Sequence, residues 1–197
     1  SINKVKTGGE KIYIDHFNVE SISDSLYDIP NQSVGNSDFQ SPIPVLWWRA
    51  VGHTQNVLAM ESLIDMVAHE ASRDPIELRL SLLQKGSPQQ QRFANVIKTA
   101  RDMSGWKAGQ KRGFASSYTF RSFLAVVADV TVKGNEVHVE KLYAAVDCGV
   151  PINPDIIKAQ LEGGMGYGLS AIAHSEITFK DGEVEQSNFP NYPTLRM

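Results

Sequence analysis

Apolar side chains recur at helical spacing through the first half of the chain. Between residues 57 and 71 they fall three or four positions apart, which predicts an amphipathic helix: Val57, Leu58, Met60, Leu63, Ile64, Val67, Ala68 and Ala71. Asp74 and Ser87 each precede a proline, and both can cap a helix that begins at that proline. Glu77 and Gln90 complete the capping-box pattern, and Gly105 is expected to end the second of these helices.

Strand-like patterns replace the helical ones in the second half. Residues 112–119 and 123–132 predict two strands, a turn at 133–136 follows, and residues 137–146 predict a third strand. A long helix comes next, and residues 174–179 and 183–187 predict a hairpin around Asp181-Gly182. Helices followed by strands are typical of an α+β fold, expected here as a two-layer mixed sheet with packed helices.

The first 45 residues differ from the rest in being polar and interrupted by proline and glycine. We expect a short strand at residues 12–14 and extended chain around residues 30–44, because residues before proline avoid the helical region. The predicted division is therefore a mostly extended segment 1–45 and an α+β domain 46–197. The chain lacks an initiator methionine and ends in an extended segment, so we expect a piece of a longer polypeptide.

Composition excludes several classes of function. A net charge of -3 and the lack of a basic run give no support to a nucleic-acid partner. No apolar stretch approaches the ~20 residues of a membrane helix, so no membrane span is expected. The single cysteine cannot form an internal disulfide, so no disulfide framework indicates secretion, and the periplasm is not excluded either.

The predicted long helix contains four glycines: Gly163, Gly164, Gly166 and Gly168. Each forgoes roughly 1 kcal/mol relative to alanine, so together they forgo roughly 4 of the ~5–15 kcal/mol by which a domain is stable. Such a loss suggests a close approach to a ligand or to another backbone. Tight packing against the sheet is one interpretation. A ligand is the other, because Gln160 offers an amide that donates and accepts one turn earlier.

The link from residue 147 to residue 154 is polar and joins a strand end to the start of that helix. Backbone amides at a helix start can hold phosphate oxygens without a positive side chain. Residues 166–171 fit a relaxed GxGxxG/A pattern, but a helical lead-in argues against a Rossmann site. Cys148 is expected to be a small buried residue and not a nucleophile, since no histidine adjoins it.

Arg49 is the other candidate for chemistry. It either stacks on Trp48 or pairs at the surface, or it presents a planar donor fork to an oxyanion or carbonyl substrate.

Standard metal and hydrolase motifs are absent from the sequence. The five histidines are scattered, and there is no HExxH, CxxC or GxSxG motif.

Several segments resemble one family. The segment 48–55, WRAVGHTQ, resembles the arginine–glycine loop (roughly FRGFGxPQ) of the xanthine dehydrogenase/aldehyde oxidase family of molybdenum hydroxylases. The E-x-R-x-x-x-L stretch 77–83, the strand start 111–115 and the strand–loop–helix segment 145–164 are also similar to that family. The resemblance covers about residues 26–197.

The resemblance implies a large subunit that binds molybdenum as molybdopterin cytosine dinucleotide and partners an iron–sulfur (2Fe-2S) alpha subunit. Its substrate would be a small aromatic heterocycle or an aldehyde, oxidised with oxygen derived from water. Arg49 would orient substrate, and the backbone of Ala50 and Val51 would lie near the molybdenum ligands. Gln160 would hydrogen-bond the pterin or its phosphates, with Gly163 and Gly164 allowing close approach.

The departures from the family pattern limit this expectation. Ala50 replaces a glycine and Thr54 a proline, and the family's general-base glutamate, in a Gly-x-Gly-Glu motif, is not in this chain. Neither Glu162 nor Glu176 is expected to replace it. The isolated chain is therefore predicted to be inactive and need not retain cofactor. A non-catalytic binding or subunit-assembly module with the same fold remains the alternative.

Overall fold

The computed structural model describes residues 15–37 and 39–195. Its helices in the first half are α1 (His16–Val19), α2 (His53–Glu70), α3 (Pro75–Ser81) and α4 (Pro88–Ser104). The predicted caps are confirmed: the Asp74 carboxylate accepts from two backbone amides, and Ser87 forms a complete capping box with Gln90. Gly105 ends α4 in the left-handed conformation, at φ 62°. Residues 30–37 and 39–44 contain no helix or strand, in agreement with the loop-like chain predicted around 30–44, whereas the strand predicted at 12–14 lies outside the described residues.

A three-stranded antiparallel sheet follows, in the order β1-β2-β3: β1 (Arg112–Thr119), β2 (Ser122–Lys133) and β3 (Glu136–Asp147). Along β2 the residues alternate in burial, so that Phe123, Ala125 and Val127 face the core. Helix α4 packs on β2 and β3, and α2 packs on β1. The α+β class is therefore confirmed, and the described strand pairings are all antiparallel.

A buried ion pair ties α2 to α3 and to the sheet. Arg79, fully buried, donates from Nε to Glu61 Oε2 and from Nη2 to the Glu61 carbonyl oxygen, both at 2.9 Å. The same carboxylate accepts from the Ser116 amide at 2.7 Å and from the Tyr27 hydroxyl at 3.0 Å. Burial alone would lower the pKa of Arg79, but the Glu61 carboxylate holds that pKa above its usual value. Helix α2, which follows the Arg49 loop, is thus tied through Glu61 to α3 and to β1.

The chain forms two compact units, Ser1–Gly149 and Val150–Met197. The second unit contains α5 (Pro154–Ala173) and the short strands β4 (Phe179–Lys180) and β5 (Glu183–Val184). The predicted hairpin turn is present, but each of its strands has only two residues. Beyond them the Thr178 amide donates to the Gln186 side chain, Oε1, at 2.8 Å and not to a backbone carbonyl oxygen of the opposite strand. The proposed boundary between residues 45 and 46 stays a prediction.

Candidate functional site

The loop around Arg49 has an unusual backbone. Ala50 and Val51, directly after the arginine, have positive φ angles of 77° and 49°. Non-glycine residues rarely adopt this region, and a β-branched valine there is a genuine outlier. Residues held in such conformations cost of order 1–3 kcal/mol each and cluster at functional sites. The glycine that the family pattern has at position 50 would suit this backbone better than Ala50 does.

Hydrogen bonds within the loop hold this conformation. The Val51 amide donates to the Trp48 carbonyl oxygen at 2.9 Å, and the His53 amide donates to that of Ala50 at 3.0 Å. Thr54 donates twice, from its amide to Val51 O at 3.2 Å and from its hydroxyl to the Arg49 carbonyl oxygen at 2.9 Å. Proline could make neither bond, so the replacement of the family's proline by Thr54 adds two local bonds to the loop.

Gly52 places this loop against α1. A Cβ built on Gly52 would overlap the Phe17 carbonyl oxygen and lie 2.9 Å from the Phe17 carbonyl carbon. Asn56, one turn later in α2, donates from Nδ2 to the carbonyl oxygens of Asn18 at 3.0 Å and Glu20 at 2.9 Å. The start of α2 is therefore fixed by the α1 segment, a contact that sequence motifs did not predict.

An open cavity of about 450 Å³ adjoins the loop. Its apolar wall includes Phe17, Leu46, Trp47, Trp48 and Val51. The rings of Phe17 and Trp47 lie 6.3 Å apart, a tilted aromatic contact. Both tryptophans are largely exposed, at 79% for Trp47 and 56% for Trp48. Both tryptophans therefore lie at the wall of this cavity and not in the core.

Arg92 anchors the end of β3. Its Nε and Nη2 donate to the two carboxylate oxygens of Asp147 at 2.8 and 2.6 Å, and its guanidinium lies 4.5 Å from the Phe123 ring centroid. These hydrogen bonds from Arg92, and one from the Gly149 amide at 3.0 Å, lower the pKa of Asp147 to about 2. Asp147 therefore does more than end the strand, because it ties the residue 147–149 turn to α4. Cys148 was expected to be buried, but it is exposed because it lies in this turn.

The four glycines lie inside α5, so the helical lead-in that argued against a Rossmann site is confirmed. Gly163 and Gly164 follow Gln160 by three and four residues and share its face. A Cβ built on any of the four glycines would have no described atom within 4 Å. No close packing contact among the described residues explains these glycines.

The start of α5 offers fewer free donors than predicted. Asn153 Oδ1 accepts from the Ile156 amide at 3.2 Å, and the Asn153 carbonyl oxygen accepts from the Ile157 amide at 3.1 Å. Pro154 has no amide hydrogen, and Asp155 adds negative charge to the first turn. A phosphate would have to compete with the helix's own cap at this position.

The six predicted site residues fall into two sets. Arg49, Ala50 and Val51 form one loop in the first unit, and Gln160, Gly163 and Gly164 form one face of α5 in the second. Within residues 15–37 and 39–195, no group of three or more histidine, cysteine or acidic residues could hold a metal ion. No helix in these same ranges has the length and apolar character to cross a membrane.

The chain matches the sequence model of the molybdopterin cofactor-binding domain over residues 56–197. It is similar to the beta subunit of isoquinoline 1-oxidoreductase of Brevundimonas diminuta, with 34% identity over 87% of this chain and 22% of the relative. A nicotinate dehydrogenase subunit of Pseudomonas putida is 27% identical over 86% of this chain and 16% of the relative. The membrane-bound aldehyde dehydrogenase (pyrroloquinoline-quinone) of Gluconacetobacter polyoxogenes is 28% identical over 77% and 22%.

These matches confirm the resemblance to molybdenum hydroxylases that the motifs predict. The double tryptophan and the segments 27–31 and 186–189 look most like the isoquinoline 1-oxidoreductase beta subunit, in agreement with the first of these relatives. The chain spans about a fifth of the length of the curated relatives it matches. The matched region contains the α5 set of predicted residues and begins after the Arg49 loop.

Proposed function

Because this chain belongs to the molybdopterin cofactor-binding domain family, we propose that it is part of the cofactor-binding subunit of a bacterial molybdenum hydroxylase. The intact enzyme oxidises an N-heterocycle or an aldehyde with oxygen derived from water. Bound molybdopterin cytosine dinucleotide supplies the molybdenum centre for that oxygen transfer. The names of the relatives, which include an isoquinoline oxidoreductase and a nicotinate dehydrogenase, support this class of reaction.

The exposed face of α5 fits such a ligand. Gly163 and Gly164 leave the backbone bare, with open space where a side chain would begin. The Gln160 amide can donate one hydrogen bond and accept another, which matches the mixed donors and acceptors of a pterin ring. In this proposal Gln160 binds the pterin or its phosphates, and the two glycines admit the ligand to contact distance.

The observation that carries the proposal is the strained backbone directly after Arg49. Two consecutive left-handed residues aim the carbonyl and amide groups of the loop in directions that an ordinary helix start would not allow. Arg49 is exposed, and its guanidinium presents a rigid donor fork. We assign Arg49 the role of orienting the substrate and stabilising negative charge as it develops on the substrate oxygen.

The aromatic cavity beside the loop supports an N-heterocycle over an aliphatic aldehyde. Its volume of about 450 Å³ lies in the range of small-molecule sites. Planar heterocycles pack well against Trp and Phe rings, which prefer offset or edge-to-face contacts. Trp47 and Trp48, which line this cavity, would bind the substrate ring, and Arg49 follows them directly in the chain.

Electrons leave the proposed enzyme through a 2Fe-2S alpha subunit, and the general base is a glutamate outside this chain. The isolated chain should therefore show no turnover of N-heterocycles.

The test compares the complete enzyme, in which the intact subunit is assembled with its iron–sulfur subunit, with its Arg49→Lys and Arg49→Met variants. Lysine keeps the charge but loses the planar fork. We expect kcat to fall by about 100-fold or more in both variants, as for the loss of one electrostatic donor in a transition state. Molybdenum content and pterin fluorescence should stay at the level of the unmodified subunit. Unchanged kcat with normal cofactor content would contradict the catalytic assignment of Arg49, whereas an unmodified subunit without molybdenum and pterin would favour the subunit-assembly module.

A further inference from the structure

His53 is buried in an unusual environment at the start of α2. Only 5% of its side chain is exposed, and its Nδ1 lies 3.2 Å from Glu20 Oε2. Its Nε2 lies 3.7 Å from Asp24 Oδ2, and the centroid of its ring lies 5.5 Å from that of Phe120. These carboxylate contacts are close but poorly aligned. Among the described residues, both ring nitrogens and Glu20 Oε2 are buried without a hydrogen bond.

This arrangement is costly for stability. A buried polar group without a hydrogen-bond partner costs about 1–3 kcal/mol, and two ring nitrogens and a carboxylate oxygen share that condition here. An apolar side chain of similar size would fill the same space without this cost. Buried polar groups that lack partners call for an explanation other than packing.

Two strained backbone segments adjoin His53, one at its backbone amide and one at its ring. The first is the Ala50–Val51 turn, whose Ala50 carbonyl oxygen accepts from the His53 amide. The second is the connection between β1 and β2, where Phe120 and Arg121 have φ angles of 48° and 64°. Both central residues of this two-residue hairpin are left-handed, a conformation that usually requires Asn-Gly. The Phe120 ring of this second turn lies against His53.

We propose that His53 is a positioning residue for the Arg49 loop. Its imidazole, held between the Glu20 carboxylate and the Phe120 ring, keeps the Ala50–Val51 turn in the left-handed conformation and thereby sets the direction of Arg49. Gly52 contributes to the same contact, since a Cβ there would lie 3.3 Å from Glu20 Oε2. The catalytic consequence rests on the proposed role of Arg49, whereas the structural consequence does not.

The test uses the intact subunit, assembled with its iron–sulfur subunit, carrying His53→Ala or His53→Gln, with His69→Ala as the control. His69 lies on the same helix but is exposed. Amide hydrogen exchange is measured for residues 48–54 and for α4. We expect exchange in 48–54 to quicken about tenfold in His53→Ala while α4 keeps its protection. We also expect kcat to fall about tenfold, KM to change less than twofold and molybdenum content to stay unchanged. Glutamine retains a polar side chain of similar length. His53→Gln should therefore keep most of the exchange protection of residues 48–54 and most of the kcat of the unmodified enzyme.

Two outcomes would overturn this inference. One is unchanged exchange at residues 48–54 in His53→Ala, because the loop would then hold itself. The other is equal loss of protection in the loop and in α4 with both His53 variants, which would show a merely structural role. Faster loop exchange with unchanged kcat would support the positioning of the loop by His53. That result would instead contradict the assignment of Arg49 as a catalytic residue.

Discussion

Replacing Gly52 with alanine tests how the loop is anchored. The new Cβ would overlap the Phe17 carbonyl oxygen and lie 2.9 Å from the adjoining carbon, closer than real Cβ atoms approach. Because the obstacle is backbone, relief requires α1 and α2 to move apart. Overpacking of this kind typically costs 1–3 kcal/mol. The lower entropy of the unfolded alanine chain returns about 0.4–1 kcal/mol, since Gly52 has an ordinary helical φ of -62°.

The balance of these two effects is a fall of about 1 kcal/mol in the free energy of unfolding of Gly52→Ala. For a chain of this length that corresponds to a fall in Tm of roughly 2–4 °C. Urea and thermal unfolding followed by circular dichroism measure both quantities. Gly35→Ala is the matched control, because a Cβ there meets no described atom within 4 Å. If the two variants are equally stable, α1 does not hold the start of α2 and our account of the loop fails.

Three further changes test other parts of the structure. Glu61→Gln removes the buried carboxylate that pairs with Arg79 and leaves only the half-exposed Asp65, to which Arg79 Nη1 donates at 2.6 Å. The free energy of unfolding in urea should therefore fall by about 3 kcal/mol, the low end for a broken buried pair; a fall below about 1 kcal/mol would refute the importance of the pair. Ala50→Gly relieves a residue at φ 77°, so it should raise the free energy of unfolding by about 1 kcal/mol and raise Tm with it. A lower Tm would mean that the left-handed turn is not strained. The Asp147 carboxyl has a folded pKa of about 2, below its unfolded value. Its pairing with Arg92 thus stabilises the fold fully above about pH 4 and less as the pH falls towards 2. Asp147→Asn should remove this pH-dependent contribution to the free energy of unfolding, which is about 1 kcal/mol after allowance for solvent screening. Urea titrations at pH 6 and pH 2.5 measure it in both proteins. An equal loss of stability between the two pH values in the unmodified protein and in the variant would contradict this prediction.

Local signals in the sequence predicted the regular elements well. Asp74, Ser87 and Gly105 act through neighbours within four residues, and their cap bonds are present as predicted. The β-strands and the glycine-containing helix followed from periodicity for the same reason. The terminal hairpin was predicted too long, because side-chain bonds from Thr178 and Gln186 replace ladder pairs that β-propensity alone would assign.

Contacts distant in sequence could not be predicted in this way. Gly52 meets Phe17 across 35 positions, and His53 meets both Glu20 and Phe120, so no local pattern marks either residue as buried. The positive φ angles of Ala50 and Val51 were equally hidden, since neither residue type favours that conformation. The family motif directed attention to the loop, and only the three-dimensional structure revealed its strain.

The central claim is that the bare backbone of α5 beside Gln160 receives the cofactor. It is tested most directly by the molybdenum content of the intact subunit carrying Gly164→Ala, compared with Gly166→Ala. Gly164 follows Gln160 by four residues and shares its face, whereas Gly166 lies about 160° around the helix from Gly164 and shows the same open space around it, so its substitution controls for helix propensity. Our account predicts that Gly164→Ala folds but loses most of its molybdenum, while Gly166→Ala retains it. Equal, undiminished molybdenum in both variants would contradict it.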